Sequence, residues 1–180
     1  MIEIIDNFLE QSYIDYIDNS VEDFDWKYCK NISINKDDTT PWLHGISRGL
    51  FDIEEKVSFQ DRKAELFIPV ILKIEDAFNL KKNSLIRARL DLTLRSPTNI
   101  IQTPHRDLAY KHYASILYCN NSDGNTVIYN EKKLSPEYTI QKIIEPKKNR
   151  LVFFDGEYIH TGHSPCKNNY RMLLNTNFLC

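Results

Sequence analysis

The chain has 180 residues, 42% of them hydrophobic, with 23 Lys and Arg against 25 Asp and Glu and a formal net charge of −2. That balance removes the global electrostatic case for binding nucleic acid or an anionic membrane, and an aromatic content of 12% argues against disorder. The length suits one domain over residues 1–180, with 1–84 as helical support and outer strands and 85–180 as the core.

Ile2 to Ile5 reads as a short strand that Asp6 and Asn7 break. Leu9, Tyr13, Ile17 and Val21 recur every four residues, which predicts an amphipathic helix from about Leu9 to Glu22. Trp26 to Ile34 reads as a strand, and Asn35 to Gly49 as a polar loop. Within that loop Trp42 and His44 are candidates for a lid, or the Trp simply plugs a satellite cluster. A second helical region spans about Asp61 to Leu80, with Pro69 as the point of interruption.

Past residue 84 the period changes. Ile86, Ala88, Leu90, Leu92 and Leu94 alternate with Arg87, Arg89, Asp91, Thr93 and Arg95, which is the period of a strand. Further strands are expected at Tyr113–Cys119, Thr126–Asn130, Tyr138–Ile144, Leu151–Phe154, Tyr158–Thr161 and Arg171–Phe178. Asp123-Gly124 lies between two of these and predicts a hairpin. So many short strands indicate a sandwich or jelly roll, hence an α+β fold with N-terminal helices buttressing a β core.

Cys29, Cys119, Cys166 and Cys180 lack C-x-x-C spacing and are too sparse for a disulfide scaffold. The first ten residues carry acids where a signal peptide needs a basic flank, and no apolar run approaches the ~20 residues of a membrane span. The expectation is a soluble, cytoplasmic protein with reduced thiols.

Chemistry concentrates at Pro104-His105-Arg106-Asp107. In an extended backbone His105 and Asp107 point the same way and Arg106 points elsewhere. One imidazole and one carboxylate make two thirds of the facial triad that holds non-haem Fe(II). The third ligand should be a histidine from another strand, and His160 and His163 are both available; His44 and His112 are the remaining histidines. Arg171 opens an apolar strand, where a guanidinium needs an anionic partner.

Taken together, His105-Arg106-Asp107, then His160, then Arg171 eleven residues on resembles the Fe(II)- and 2-oxoglutarate-dependent oxygenases, nearest the prolyl 4-hydroxylase-like branch. Ser115-Ile-Leu-Tyr-Cys-Asn120, Asp123-Gly-Asn-Thr126, Lys148 to Gly156 and Ile4 to Leu9 resemble further segments of that family. Cys119 and Asn125 depart from its usual Leu and Gly. The resemblance implies a double-stranded β-helix in which His105, Asp107 and His160 bind iron. His160 takes the family's position after the Phe-Phe-Asp-Gly segment, leaving His163 as an exposed loop residue, while His112 opens the next strand. Arg171 would pair with the distal carboxylate of 2-oxoglutarate. Tyr118 would donate to the same carboxylate, or serve as a core aromatic.

The implied activity is a dioxygenase that uses O₂ and 2-oxoglutarate, is stimulated by ascorbate, and releases succinate and CO₂ while hydroxylating an unactivated C–H bond. The substrate is a peptide, prolyl by analogy, or a small metabolite; no nucleic-acid or membrane partner is implied. Asp91, Arg95 and Arg106 are the candidate substrate contacts, and the polar face that carries Arg87 and Arg89 either lines the barrel mouth or is solvated. The competing readings are a non-catalytic jelly-roll binding module and a cosubstrate-independent, cupin-like metalloprotein.

Overall fold

The computed structural model describes residues 1–29 and 45–180. Trp42, His44 and the predicted strand beyond Cys29 lie outside the described residues. Among the described residues, ten strands form two sheets. The strands are β1 (Ile2–Ile5), β2 (Lys27–Cys29), β3 (Gly45–Asp52), β4 (Leu85–Leu94), β5 (His112–Tyr118), β6 (Thr126–Tyr129), β7 (Ile140–Ile144), β8 (Arg150–Asp155), β9 (His160–Gly162) and β10 (Tyr170–Leu179). The large sheet runs β1-β8-β5-β10-β4-β3-β2 and the small one β7-β6-β9; every recorded pairing is antiparallel. This is the jelly roll the strand pattern predicts.

Two faces of the large sheet divide the work. One face packs Leu90, Leu117, Phe153, Met172, Leu174 and Phe178 into the main hydrophobic cluster. The helices α1 (Gln11–Asn19) and α3 (Ile68–Ala77) supply Ile14, Ile17, Val70 and Ile74 to it. The opposite face holds Ala114, Ile116, Tyr118, Val152, Phe154 and Leu173, which pack with Ile128 and Ile144 of the small sheet.

The helices are shorter than the periodicity suggests. α1 starts at Gln11, so Leu9 precedes it, though Leu9 is still buried. The buried Asn149, at φ 67°, holds that entry: its Oδ1 accepts from the Leu9 amide at 2.7 Å and its Nδ2 donates to the Leu9 carbonyl at 2.7 Å. The second helical region is split as Pro69 predicts. A short α2 (Arg62–Glu65) is capped by Asp61, whose carboxylate accepts from the Lys63 and Ala64 amides, and α3 then places Pro69 in its first turn.

Two expectations are corrected. The polar loop does not run to Gly49, because β3 begins at Gly45 and pairs with β2 and β4 on its two sides. Gly45, Ser47 and Gly49 mask its alternation, and pairing on both edges holds the strand regardless.

Asp123-Gly124 is not a hairpin turn. It carries the chain from β5 in the large sheet to β6 in the small one. No glycine has a positive φ, so the I′ geometry behind the Asp-Gly signal is not used. Gly124 is there for close approach: a Cβ would lie 2.5 Å from the His163 carbonyl oxygen. The Asp123 carboxylate accepts from the amides of Cys166, Lys167 and Asn168, and these bonds pull it below the ordinary Asp range despite burial, the largest single influence, pushing upward.

Candidate metal centre

His105 and His160 lie 55 positions apart in sequence, and the backbone brings them opposite one another. The segment before β5 pairs with β9, each residue's amide donating to the other's carbonyl at 3.0 Å. Directly opposed antiparallel residues send their side chains to the same face, and the two imidazole centroids are 4.8 Å apart. Asp107, two residues further, shares the His105 direction. Its Oδ1 is 4.0 Å from His105 Nε2 and its Oδ2 is 3.8 Å from His160 Nε2. One ligand atom from each of the three residues falls within 4.8 Å of the others. His163 is not in the group. It is half-buried rather than exposed, bridging Ile101, with Nδ1 3.3 Å from Asn99 Nδ2. His112 opens β5 as expected, fully buried, its Nδ1 2.8 Å from the Tyr110 carbonyl.

The tautomers suit a cation. His105 Nδ1 donates to the Thr103 carbonyl at 2.9 Å, and His160 Nδ1 donates to the Tyr158 carbonyl at 3.1 Å. A carbonyl only accepts, so Nδ1 carries the proton in each ring and Nε2 offers its lone pair. Burial, the largest influence, pushes His160 down to about 4, against the pull of Asp107. The ring is therefore neutral at ordinary pH.

Asp107 is 4% exposed and is held from the large sheet. Arg87 Nη2 donates to its Oδ1 at 2.9 Å; Asn177 and Asn175 donate to its Oδ2 at 2.9 and 3.3 Å. Arg87 Nε also donates to Asn177 Oδ1 at 3.0 Å. Burial is the largest influence and favours the neutral acid, but Arg87, the two imidazoles and Asn177 together hold the carboxyl well below its usual range. The triad thus links the two sheets, with His160 on the small sheet, His105 bridged to it, and the carboxylate hydrogen-bonded to the large one.

A narrow cavity of about 50 Å³ shares His105 and His160 and reaches Arg171. Arg171 is 4% exposed. Its Nη1 donates to the carbonyls of Gly124 and Asn125 at 3.1 and 3.4 Å, and its buried Nε has no partner. Burial lowers its pKa. Among the described residues no carboxylate lies within ion-pair reach of it. Gly162 makes room for the guanidinium: a Cβ there would meet Nη2 at 2.4 Å.

Tyr118 is fully buried in the inter-sheet core, and its hydroxyl donates to Thr126 Oγ1 at 2.7 Å. Thr126, not Tyr118, lines the cavity beside Arg171, together with Gln102 and Thr161. The polar face of β4 is interior. Arg89 and Asp91 form an ion pair at 2.7 Å and line the same cavity. Arg95 lies past the end of β4, exposed, along a separate 230 Å³ cavity. Arg106 lines a larger cavity of about 490 Å³.

Solved structures share this arrangement of strands. The fold is that of the 2OG-Fe(II) oxygenases. An oxidoreductase of that family from Burkholderia pseudomallei matches with a TM-score of 0.71 at 11% identity, over 98% of this chain and 84% of that one. A prolyl hydroxylase from Trichoplax adhaerens, solved with a hypoxia inducible factor oxygen degradation domain peptide fragment, matches with a TM-score of 0.66 at 13% identity, over 98% and 83%. The non-heme alpha ketoglutarate dependent epimerase SnoN from nogalamycin biosynthesis matches with a TM-score of 0.68 at 8% identity, over 99% and 77%. No family model and no curated protein matches the sequence. Among the described residues, no helix is long and apolar enough to cross a membrane.

Sequence reasoning singles out His105, Asp107, His160 and Arg171, and it passes over Asn175, Asn177, Gln102, Thr126 and Gly162, which the structure places beside them. A signal existed for two of them. Arg171, Leu173, Asn175 and Asn177 share one face of β10, and three polar residues on an interior face of a central strand demand partners.

Proposed function

We propose that the chain is an Fe(II)- and 2-oxoglutarate-dependent oxygenase that hydroxylates a C–H bond of a peptide or a small metabolite. The observation that carries this reading is that two imidazoles and a buried carboxylate converge beside a small cavity that also holds a buried guanidinium with no carboxylate partner among the described residues. Two imidazoles and one carboxylate suit non-haem Fe(II) and leave coordination positions open. An unpaired buried guanidinium is costly unless an anion completes it. A cupin-like site without a cosubstrate gives Arg171 no use.

Each residue then has a task. His105 and His160 would offer Nε2 to the iron, while each Nδ1 keeps its proton and donates it to a backbone carbonyl, which fixes ring orientation. Asp107 supplies the anionic ligand, and Arg87, Asn175 and Asn177 keep it ionised and aimed. Arg171 would hold the distal carboxylate of 2-oxoglutarate, to which its planar fork is matched. Thr126 and Gln102 complete the wall beside it. When bound, iron, 2-oxoglutarate and O₂ supply the oxidising chemistry, with succinate and CO₂ as co-products.

The test is metal uptake and succinate formation with Fe(II), 2-oxoglutarate and ascorbate. Asp107→Ala and His105→Ala should abolish both. Arg171→Ala should keep metal uptake and raise the 2-oxoglutarate KM by about tenfold or more, because it removes a contact remote from the metal. Unchanged KM in that variant would refute the role given to Arg171.

A further inference from the structure

The 490 Å³ cavity beside the triad is of a size common among small-molecule sites. Its apolar lining comes from Pro104, Leu108, Leu134 and Ile159, and His105 and Asp107 reach it at one end. Leu134 is 71% exposed there, an uncovered apolar side chain at the rim. Two cations, Arg106 and Lys133, line the same space from separate segments of the chain.

Among the described residues, neither cation is neutralised by a neighbouring carboxylate. Lys132, next to Lys133, is tied to Asp155 at 2.6 Å and Glu157 at 3.4 Å; Arg87 is tied to Asp107, and Arg89 to Asp91. Among the described residues, Arg106 and Lys133 make no ion pair or hydrogen bond. Asp107 is the one carboxylate among the described residues lining this cavity, and its oxygens already face Arg87, Asn175 and Asn177. Arg87, Arg89 and Arg171 do not line this cavity, so among the described residues Arg106 and Lys133 are its cations.

We propose that the cavity takes a small organic carboxylate with an apolar body, its anionic end held by Arg106 and Lys133 and its apolar part on Leu108, Leu134 and Ile159. The proposal deepens the oxygenase reading and rests on it for the statement that this ligand is the substrate. Opposite charges bring specificity and faster encounter, while the apolar wall directs the uncharged carbon skeleton toward the triad.

Matched acids and amides test it: hexanoate against hexanamide, 4-phenylbutyrate against 4-phenylbutyramide, and N-acetyl-leucine against its amide. Each is titrated at millimolar concentration into the protein with Zn(II) and 2-oxoglutarate added, and binding is read by saturation-transfer NMR. At least one acid should bind about tenfold more tightly than its amide. The double variant Arg106→Gln, Lys133→Gln should cut that preference below about twofold while keeping the wild-type melting temperature. The proposal is overturned if no acid binds, if acids and amides bind alike, or if the preference survives in the double variant. Tighter binding of an acidic peptide than of every small acid overturns it too. Zinc uptake is measured in the same samples. A protein that prefers acids through Arg106 and Lys133 yet takes up no metal would sink the oxygenase reading and leave the anion site standing.

Discussion

The two faces of the large sheet differ more than any two elements of this protein. On β10, Met172, Leu174, Thr176 and Phe178 point one way and Arg171, Leu173, Asn175 and Asn177 the other. The first set joins the helices in an apolar core. The second set meets Thr93, Asp91, Arg89 and Arg87 of β4 in cross-strand register and builds the polar wall of the site. A single-residue step along one strand thus separates stability from chemistry, because side chains alternate with a period of two. The difference teaches that either property can be altered with little effect on the other.

The largest expected effect comes from breaking the outer face. Leu174→Ala removes a fully buried side chain and should lower unfolding free energy by about 2–5 kcal/mol in denaturant titration. Arg171→Met, three residues earlier on the inner face, should cost clearly less, since it removes a buried charge that has no carboxylate partner. Equal losses would mean that the inner face is as structural as the outer one.

A smaller effect sharpens the inner side. Arg87→Gln leaves the triad intact but removes the cation from Asp107, and metal affinity should fall by about 10- to 100-fold. Metal titration reads this directly, and Arg87→Lys should recover part of the loss. Unaltered affinity in Arg87→Gln would leave Arg87 without a positioning role.

The smallest effect concerns the sheet's edge, away from both faces. The Arg150 guanidinium holds the Asp6 carboxyl down at about 2, through contacts of 2.6 and 3.0 Å between the turn after β1 and the start of β8. A folded-state value below the usual 3.8 means the pair's contribution is fully present above about pH 4 and is lost as pH falls toward about 2. Asp6→Asn should therefore lose less melting temperature than wild type across that interval. Asp6 is more than a third exposed, which screens the pair and keeps the difference small. Identical acid profiles would show that the contact contributes nothing.

Much of the fold was legible because β4 alternates cleanly and the later strands are bounded by turn residues. Gly45–Asp52 was not, since its glycines and serine hide the alternation and the strand is specified by neighbours on both sides. Asp123-Gly124 misled for a related reason: a short-range turn signal was used for a crossing between sheets, where the glycine is demanded by the nearby His163 carbonyl. At the site, His105 and Asp107 were readable as one extended stretch. The environment of Asp107 was not, because Arg87, Asn175 and Asn177 come from strands 20 to 70 positions away.

The amino-acid sequence by itself determined the residue types that can ligate a metal, the direction shared by His105 and Asp107, and the two-sided character of β4 and β10. Those are local properties of an extended chain. Only the tertiary structure decided that His160 rather than His163 faces that pair, that the charged side of β4 turns inward, and that Arg171 is buried. Each depends on which strands become neighbours, and pairing between distant segments is selected by burying the apolar faces of both sheets at once, a choice no single stretch of sequence carries.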